Sequence, residues 1–93
     1  MKYATGEDAH LWDRVTASGG QRGIVVGSMD TDEYSSQHPR EQWAYLGHGI
    51  MVDSEDAGLI HYPRPDEGEE LALVTRGIEP TEAVWNELHA PRL

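Results

Sequence analysis

The sequence predicts a mainly β fold, a small barrel of about five strands with a short helix at its C-terminal end. Three observations lead there. Residues 22–29 (Arg-Gly-Ile-Val-Val-Gly-Ser-Met) form a β-branched run directly after the Gly19-Gly20 turn. Residues 49–53 and 58–62 are two further apolar runs separated by Ser54-Glu55-Asp56-Ala57, the spacing of a hairpin. The 93 residues contain no Phe, three Trp and four Tyr. Large apolar area carried by few residues suits a small barrel, and a chain this short makes a single domain, 1–93.

Taken in order, Ala9-His10-Leu11-Trp12 alternates apolar and polar after Gly6-Glu7-Asp8 and reads as the first strand. Residues 22–29 are the strongest strand, apolar enough for burial on both faces. Residues 49–53 and 58–62 pair as a hairpin, with Gly58 supplying a positive φ at the end of its turn. Residues 71–75 (Leu-Ala-Leu-Val-Thr) are the last strand, reached through the extended Pro63-Arg64-Pro65. Residues 39–46 form a turn or two of helix, with Pro39 suited to the first helical position. Residues 80–89 form the C-terminal helix, with Glu82 near its positive end and Val84, Trp85 and Leu88 as a stripe lying on the barrel. Residues 30–38 are the longest irregular stretch. The expected core is Leu11, Ile24, Val26, Ile50, Val52, Leu59, Leu71 and Leu73.

The order of elements is similar to that of small SH3-like barrels of the KOW type and of the nitrile hydratase β subunit. The residues that carry the resemblance are Gly6-Glu7-Asp8-Ala9-His10-Leu11-Trp12 and Gly20-Gln21-Arg22-Gly23-Ile24-Val25-Val26. It spans roughly residues 6–75 and implies an SH3-like barrel. Nucleic-acid-binding barrels of this kind carry basic and aromatic residues on their exposed loops. Here the loops are acidic, so the resemblance extends to the fold and not to nucleic-acid binding.

Composition narrows the function. The absence of Cys excludes disulfides, thiol chemistry and the usual zinc fingers, and suits a reducing cytosol. Residues 1–8 hold no apolar run of a signal peptide, and no stretch is long and apolar enough to span a bilayer, so the expected location is cytoplasmic. Seventeen acids against seven bases give a formal charge of −10, a field that repels nucleic acid and anionic lipid.

No motif of catalysis or metal binding holds. Asp30, Asp32 and Glu41 fall at the first, third and twelfth positions of a calcium loop, but Tyr34 replaces a ligand and Ser35 the turn glycine. The histidines His10, His38, His48, His61 and His89 lack ligand spacing. No Gly-x-Ser-x-Gly elbow surrounds Ser28, Ser35, Ser36 or Ser54, and no phosphate-cradling glycine run is present. The carboxylates sit in loops, where solvent leaves them ordinary. The expectation is therefore not an enzyme, with no cofactor and no metal.

Ten of the acids fall in three loops: Asp30, Asp32 and Glu33; Asp53, Glu55 and Asp56; Asp66, Glu67, Glu69 and Glu70. Gathered on one side, such clusters imitate a phosphate backbone and attract proteins with a basic, nucleic-acid-handling surface. The expected function is thus a small acidic protein-binding module, an inhibitor or regulator of the anti-CRISPR, anti-restriction, antirepressor or nuclease-immunity class. The alternative is an interaction domain of a larger complex that uses Trp43 and Tyr45 as aromatic anchors, and beyond that a small metal-binding or enzymatic domain.

Overall fold

A computed structural model describes residues 2–17, 20–55, 58–63 and 70–89. The elements run β1 (Arg14–Ala17), β2 (Arg22–Ser28), β3 (Glu33–Tyr34), α1 (Arg40–Trp43) with a 3₁₀ turn over Ala44–Leu46, β4 (Ile50–Ser54), β5 (Gly58–Tyr62), β6 (Leu71–Thr75) and α2 (Glu82–His89). All six strands belong to one antiparallel sheet in the order β5-β4-β2-β1-β6, and β3 pairs with β2 off that path. The fold is mainly β with a short C-terminal helix, as the sequence predicts.

The sheet is curled. Its inner face holds one core of Tyr3, Ala9, Val15, Val25, Ile50, Val52, Tyr62 and Leu71, with Ala17, Ile60 and Leu73 packed against it. Ile60 and Tyr62 come from one edge strand, Leu71 and Leu73 from the other, so the two ends of the sheet share a single core. Among the described residues, side chains rather than backbone hydrogen bonds join β5 to β6.

The outer face carries a second cluster. Val26, Met29 and Met51 are buried there beneath Trp12, Tyr34, Trp43, Leu46 and Trp85. The indoles of Trp12 and Trp85 meet edge to face at 6.5 Å, and α2 lays Leu88 down as its buried residue. Burial of β2 on both faces is confirmed: every residue from Gly23 to Ser28 is buried. The register shifts at Val26, where a bulge sets Val25 opposite Val52 and Gly27 opposite Met51. Alternation already sends Val25 and Val26 to opposite clusters; the extra residue brings Gly27 opposite Met51 on the outer face.

Five details differ from the sequence reading. The first strand is β1 at Arg14–Ala17 rather than residues 9–12. Trp12 has φ +71°, which breaks an extended chain, and the alternation at 9–12 places Ala9 in the inner core and Trp12 in the outer cluster across a turn. A two-residue strand, β3, lies inside the stretch read as irregular. Leu59 is 42% exposed, because β5 turns Ile60 and Tyr62 inward, one residue out of the expected register. Leu11 and Leu73 are half-buried, while Ile24, Val26, Ile50, Val52 and Leu71 are buried. Both helices start later than their prolines. Pro39 stands in extended conformation as the N-cap of α1, and Pro80 is buried two residues before α2.

Local chemistry explains the connections. Gly58 has the expected positive φ, +70°, and closes the hairpin turn with Ser54 as its partner. After β6 the chain is tied back by two arginines. Arg76 Nη1 donates to the Asp8 carbonyl and to Asp13 Oδ2, both at 2.7 Å. Arg14 donates to the carbonyls of Trp12 at 2.6 Å and Ile78 at 3.2 Å. A Cβ at Gly77 would lie 2.6 Å from the Arg14 guanidinium, so only glycine lets the chain cross it.

The two clusters set an expectation for stability. Ile24→Ala or Val52→Ala should cost on the order of 2–4 kcal/mol. Leu59→Ala, on the outward side of β5, should cost about 0.5 kcal/mol. Urea unfolding of the three variants checks this, and a Leu59 variant as damaging as the other two would contradict the register of β5.

Candidate protein-binding surface

The loop carboxylates are placed by the two ends of β2. Ser28 pairs with Glu33 and Ile50 at one end. At the other end, Gly23 faces Ser54, and Thr16 and Ala17 lead across to β6. The seven residues of β2 therefore set the 30–33 loop about 20 Å from Glu55 and Glu70. Glu55 and Glu70 share an end; Asp30, Asp32 and Glu33 do not join them. Asp56, Asp66, Glu67 and Glu69 lie outside the described residues.

Most of the described loop acids hold the fold together. Asp30 Oδ1 accepts the Gly49 N–H at 3.1 Å. Asp32, at φ +57°, forms an ion pair with Arg40 at 3.3 Å. Glu33 accepts from the Thr31 hydroxyl at 2.6 Å, lies 2.8 Å from His10 Nδ1, and takes the Leu11 N–H at 3.4 Å. Burial pushes the Glu33 carboxyl up, but these donors outweigh it and hold the group below its ordinary range. The Glu55 side chain is only 3% exposed and accepts both the backbone N–H and the guanidinium of Arg22. Asp53 is half-buried, and Glu70 is exposed where it leads into β6.

The remaining surface charge follows from where the cations go. Lys2 pairs with Asp8, Arg22 with Glu55, Arg40 with Asp32 and Arg76 with Asp13. Arg14 is held by carbonyls. All five Lys and Arg side chains of the described residues are thus engaged by the protein's own oxygen atoms. Glu41 on α1, Glu79 on the approach to α2, and Glu82 and Glu87 on α2 are exposed and have no ion-pair partner among the described residues. All four come from the layer of segments that covers the outer face. Glu79 and Glu82 also wall an open groove of about 560 Å³ together with Gln37, Asp53, Pro80 and Trp85. No motif announces this acidic face; its signal is the distribution of the few basic residues.

The two aromatic candidates separate. Trp43 is half-buried in the outer cluster with its ring 5.6 Å from His38, and its indole N–H is buried with no acceptor among the described residues. Tyr45, in the 3₁₀ turn, is 78% exposed. Arg40, beside them in sequence, is engaged by Asp32.

The histidines are dispersed. His10 lies on Glu33, His38 Nδ1 is 3.0 Å from the Ser35 hydroxyl, and His61 Nε2 is 2.9 Å from the His48 carbonyl. Burial pulls His38 down, while Asp53 draws it the other way. Among the described residues no three His, Asp or Glu side chains converge as a metal site.

The buried carboxylate of Asp13 was not a sequence candidate. It is 1% exposed, and its Oδ2 receives the Tyr3 hydroxyl at 2.6 Å, the His10 N–H at 2.9 Å and the Arg76 guanidinium at 2.7 Å. Three donors and one positive charge compensate its burial. They also lock the N-terminal segment, the start of β1 and the residue after β6 to one point. Arg76 stands 63 residues from Asp13, so no local pattern in the sequence reveals the pair.

This lock gives stability a pH dependence. Burial first, then the hydrogen bond to Asp13, pushes the Tyr3 phenol well above the ordinary tyrosine range. A group whose pKa rises on folding stabilises the fold below its unfolded pKa and loses that contribution as pH climbs above it. Stability should therefore hold to about pH 10 and fall beyond it. Tyr3→Phe should be about 1 kcal/mol less stable at neutral pH, with a shallower alkaline decline. Urea unfolding between neutral and strongly alkaline pH tests both, and identical alkaline slopes would exclude Tyr3 as the cause.

Comparison of the chain with models of protein families, with curated proteins and with solved structures returned no match.

Proposed function

We propose that this protein is a small acidic binding module that acts in the cytoplasm on a basic, nucleic-acid-handling protein, as an inhibitor or regulator of the anti-CRISPR, anti-restriction, antirepressor or nuclease-immunity class. One observation carries the reading: the described cations are turned to the protein's own oxygens, while Glu41, Glu79, Glu82 and Glu87 stand uncompensated on the outer layer. On a chain of formal charge −10, such a face steers a basic partner into contact and stands in for phosphates. The meander of strands and the return of β6 to β1 support describing the scaffold as SH3-like.

The contact region in this proposal moves from the loops to the outer layer. Asp30, Glu33 and Glu55 have structural work, so replacing them tests folding as much as binding. The exposed glutamates separate the two questions.

A second reading rests on Tyr45, whose exposure makes it the aromatic anchor available on this surface. In that case Trp43 shapes the fold beneath it.

The experiment recovers the partner from the source organism and measures association across a salt series. The variant Glu41→Gln, Glu79→Gln, Glu82→Gln, Glu87→Gln should associate at least about tenfold more slowly at low salt, with a flatter salt dependence and unchanged stability. Duplex nucleic acid should compete with the module for the partner. Tyr45→Ala should leave the association rate nearly unchanged. Salt-independent binding that survives the glutamate variant and is lost in Tyr45→Ala would replace charge mimicry with the aromatic anchor.

A further inference from the structure

A cavity of about 210 Å³ lies between the outer face of β1, β2 and β6 and the helix α2. Ile24, Val74, Val84 and Leu88 make it apolar, and Arg14, Arg22 and Glu87 are its charged wall residues. Val74 and Val84 are 62% and 37% exposed, so the cavity is open to solvent between them. Its volume exceeds the roughly 150 Å³ of an apolar protein cavity that holds benzene.

The charges around it are unequal. Arg22 is neutralised by Glu55. Glu87 is exposed and forms no ion pair with either arginine, so it does not neutralise Arg14. Arg14 is half-buried and is held only by the neutral carbonyls of Trp12 and Ile78. Among the described Lys and Arg side chains, it alone lacks a carboxylate partner. Burial accordingly pulls its pKa down from the ordinary arginine value. An uncompensated guanidinium in the wall of an apolar cavity favours an anion, to which it can make a charge-assisted hydrogen bond. A second copy of this chain is disfavoured as the occupant by its own charge of −10.

We infer that this cavity binds a small apolar carboxylate, with its hydrocarbon against Ile24, Val84 and Leu88 and its carboxylate at Arg14. The size suits a chain of about six carbons. The inference does not rest on the protein partner proposed for the acidic face, although Glu87 borders both.

Hexanoate, 1-hexanol and hexylamine are the probes, and the methyl resonances of Ile24, Val74, Val84 and Leu88 are the readout. Hexanoate should shift these methyls and bind more tightly than 1-hexanol, and at least about tenfold more tightly than hexylamine. Val84→Trp, at a partly exposed position, should fill the cavity and abolish hexanoate binding while the protein stays folded. Arg14→Gln should make hexanoate no better than 1-hexanol. If that variant fails to fold, the probe series and Val84→Trp still decide. Unshifted methyls, hexylamine as tight as hexanoate, or hexanoate binding retained in Val84→Trp would each overturn the inference. Equal affinity for hexanoate and 1-hexanol would also overturn it, leaving an apolar seat of the kind that takes a partner's side chain.

Discussion

Ile24, Val25 and Val26 are consecutive β-branched residues in the middle of β2, and all three are buried. Burying each is worth about 1.5–3 kcal/mol relative to exposure, so neither face of this strand can be left to water. The curled sheet covers one face by bringing both of its ends around Val25. The other face needs a separate cover, which the 39–46 segment and α2 provide with Trp43, Leu46, Trp85 and Leu88. The helices of this protein are therefore part of the same burial problem as its sheet. The bulge at Val26 resets the register beyond it: alternation sends Val25 and Val26 to opposite faces, and the extra residue then sets Gly27 opposite Met51.

The parts legible in the sequence are those fixed by local chemistry. The central strand, the 58–62 strand, the 71–75 strand and the C-terminal helix lie where their β-branched runs, turn residues and apolar stripe put them. What escaped was determined by partners far along the chain. Arg-Val-Thr-Ala has one large apolar side chain and reads as nothing in particular, yet it pairs with β2 on one side and β6 on the other. In Gly-Leu-Ile-His-Tyr the apolar residues occupy both parities, so sequence alone does not choose between Leu59 and Ile60 for the inside. Pairing of Val52 with Ile60 chooses.

The same division holds for the site. Acid abundance is visible in the composition, but which acids are free is not. Asp30 and Glu33 close contacts across 19 and 23 residues, and Glu55 reaches Arg22 across 33. Once such contacts form, an acid-rich loop becomes a set of internal fastenings, and the field at the surface is carried by other residues. Glu79 and Glu82 follow β6 and fall outside the three loops, so counting loop acids passes over them. Cations are the more informative residues in a chain this acidic: Lys2, Arg22, Arg40 and Arg76 each neutralise one carboxylate, and their positions say which.

Helix α2 belongs to both surfaces. Glu82 and Trp85 wall the acidic groove, whereas Val84, Glu87 and Leu88 wall the apolar cavity. Eight residues of helix thus have a basic partner proposed on one side and a small carboxylate on the other. The charges of the two ligands are opposite, so the field of the acidic face works against the second while it attracts the first. Arg14 is the local answer to that field: half-buried, without a carboxylate of its own, and shielded by the chain crossing at Gly77. Any coupling between the two ligands passes through the seating of α2 on β2, because both walls are built on that one helix. By linkage it must be reciprocal: a carboxylate that fixes α2 in the position the partner prefers strengthens the partner's binding by the same factor as the partner strengthens its own.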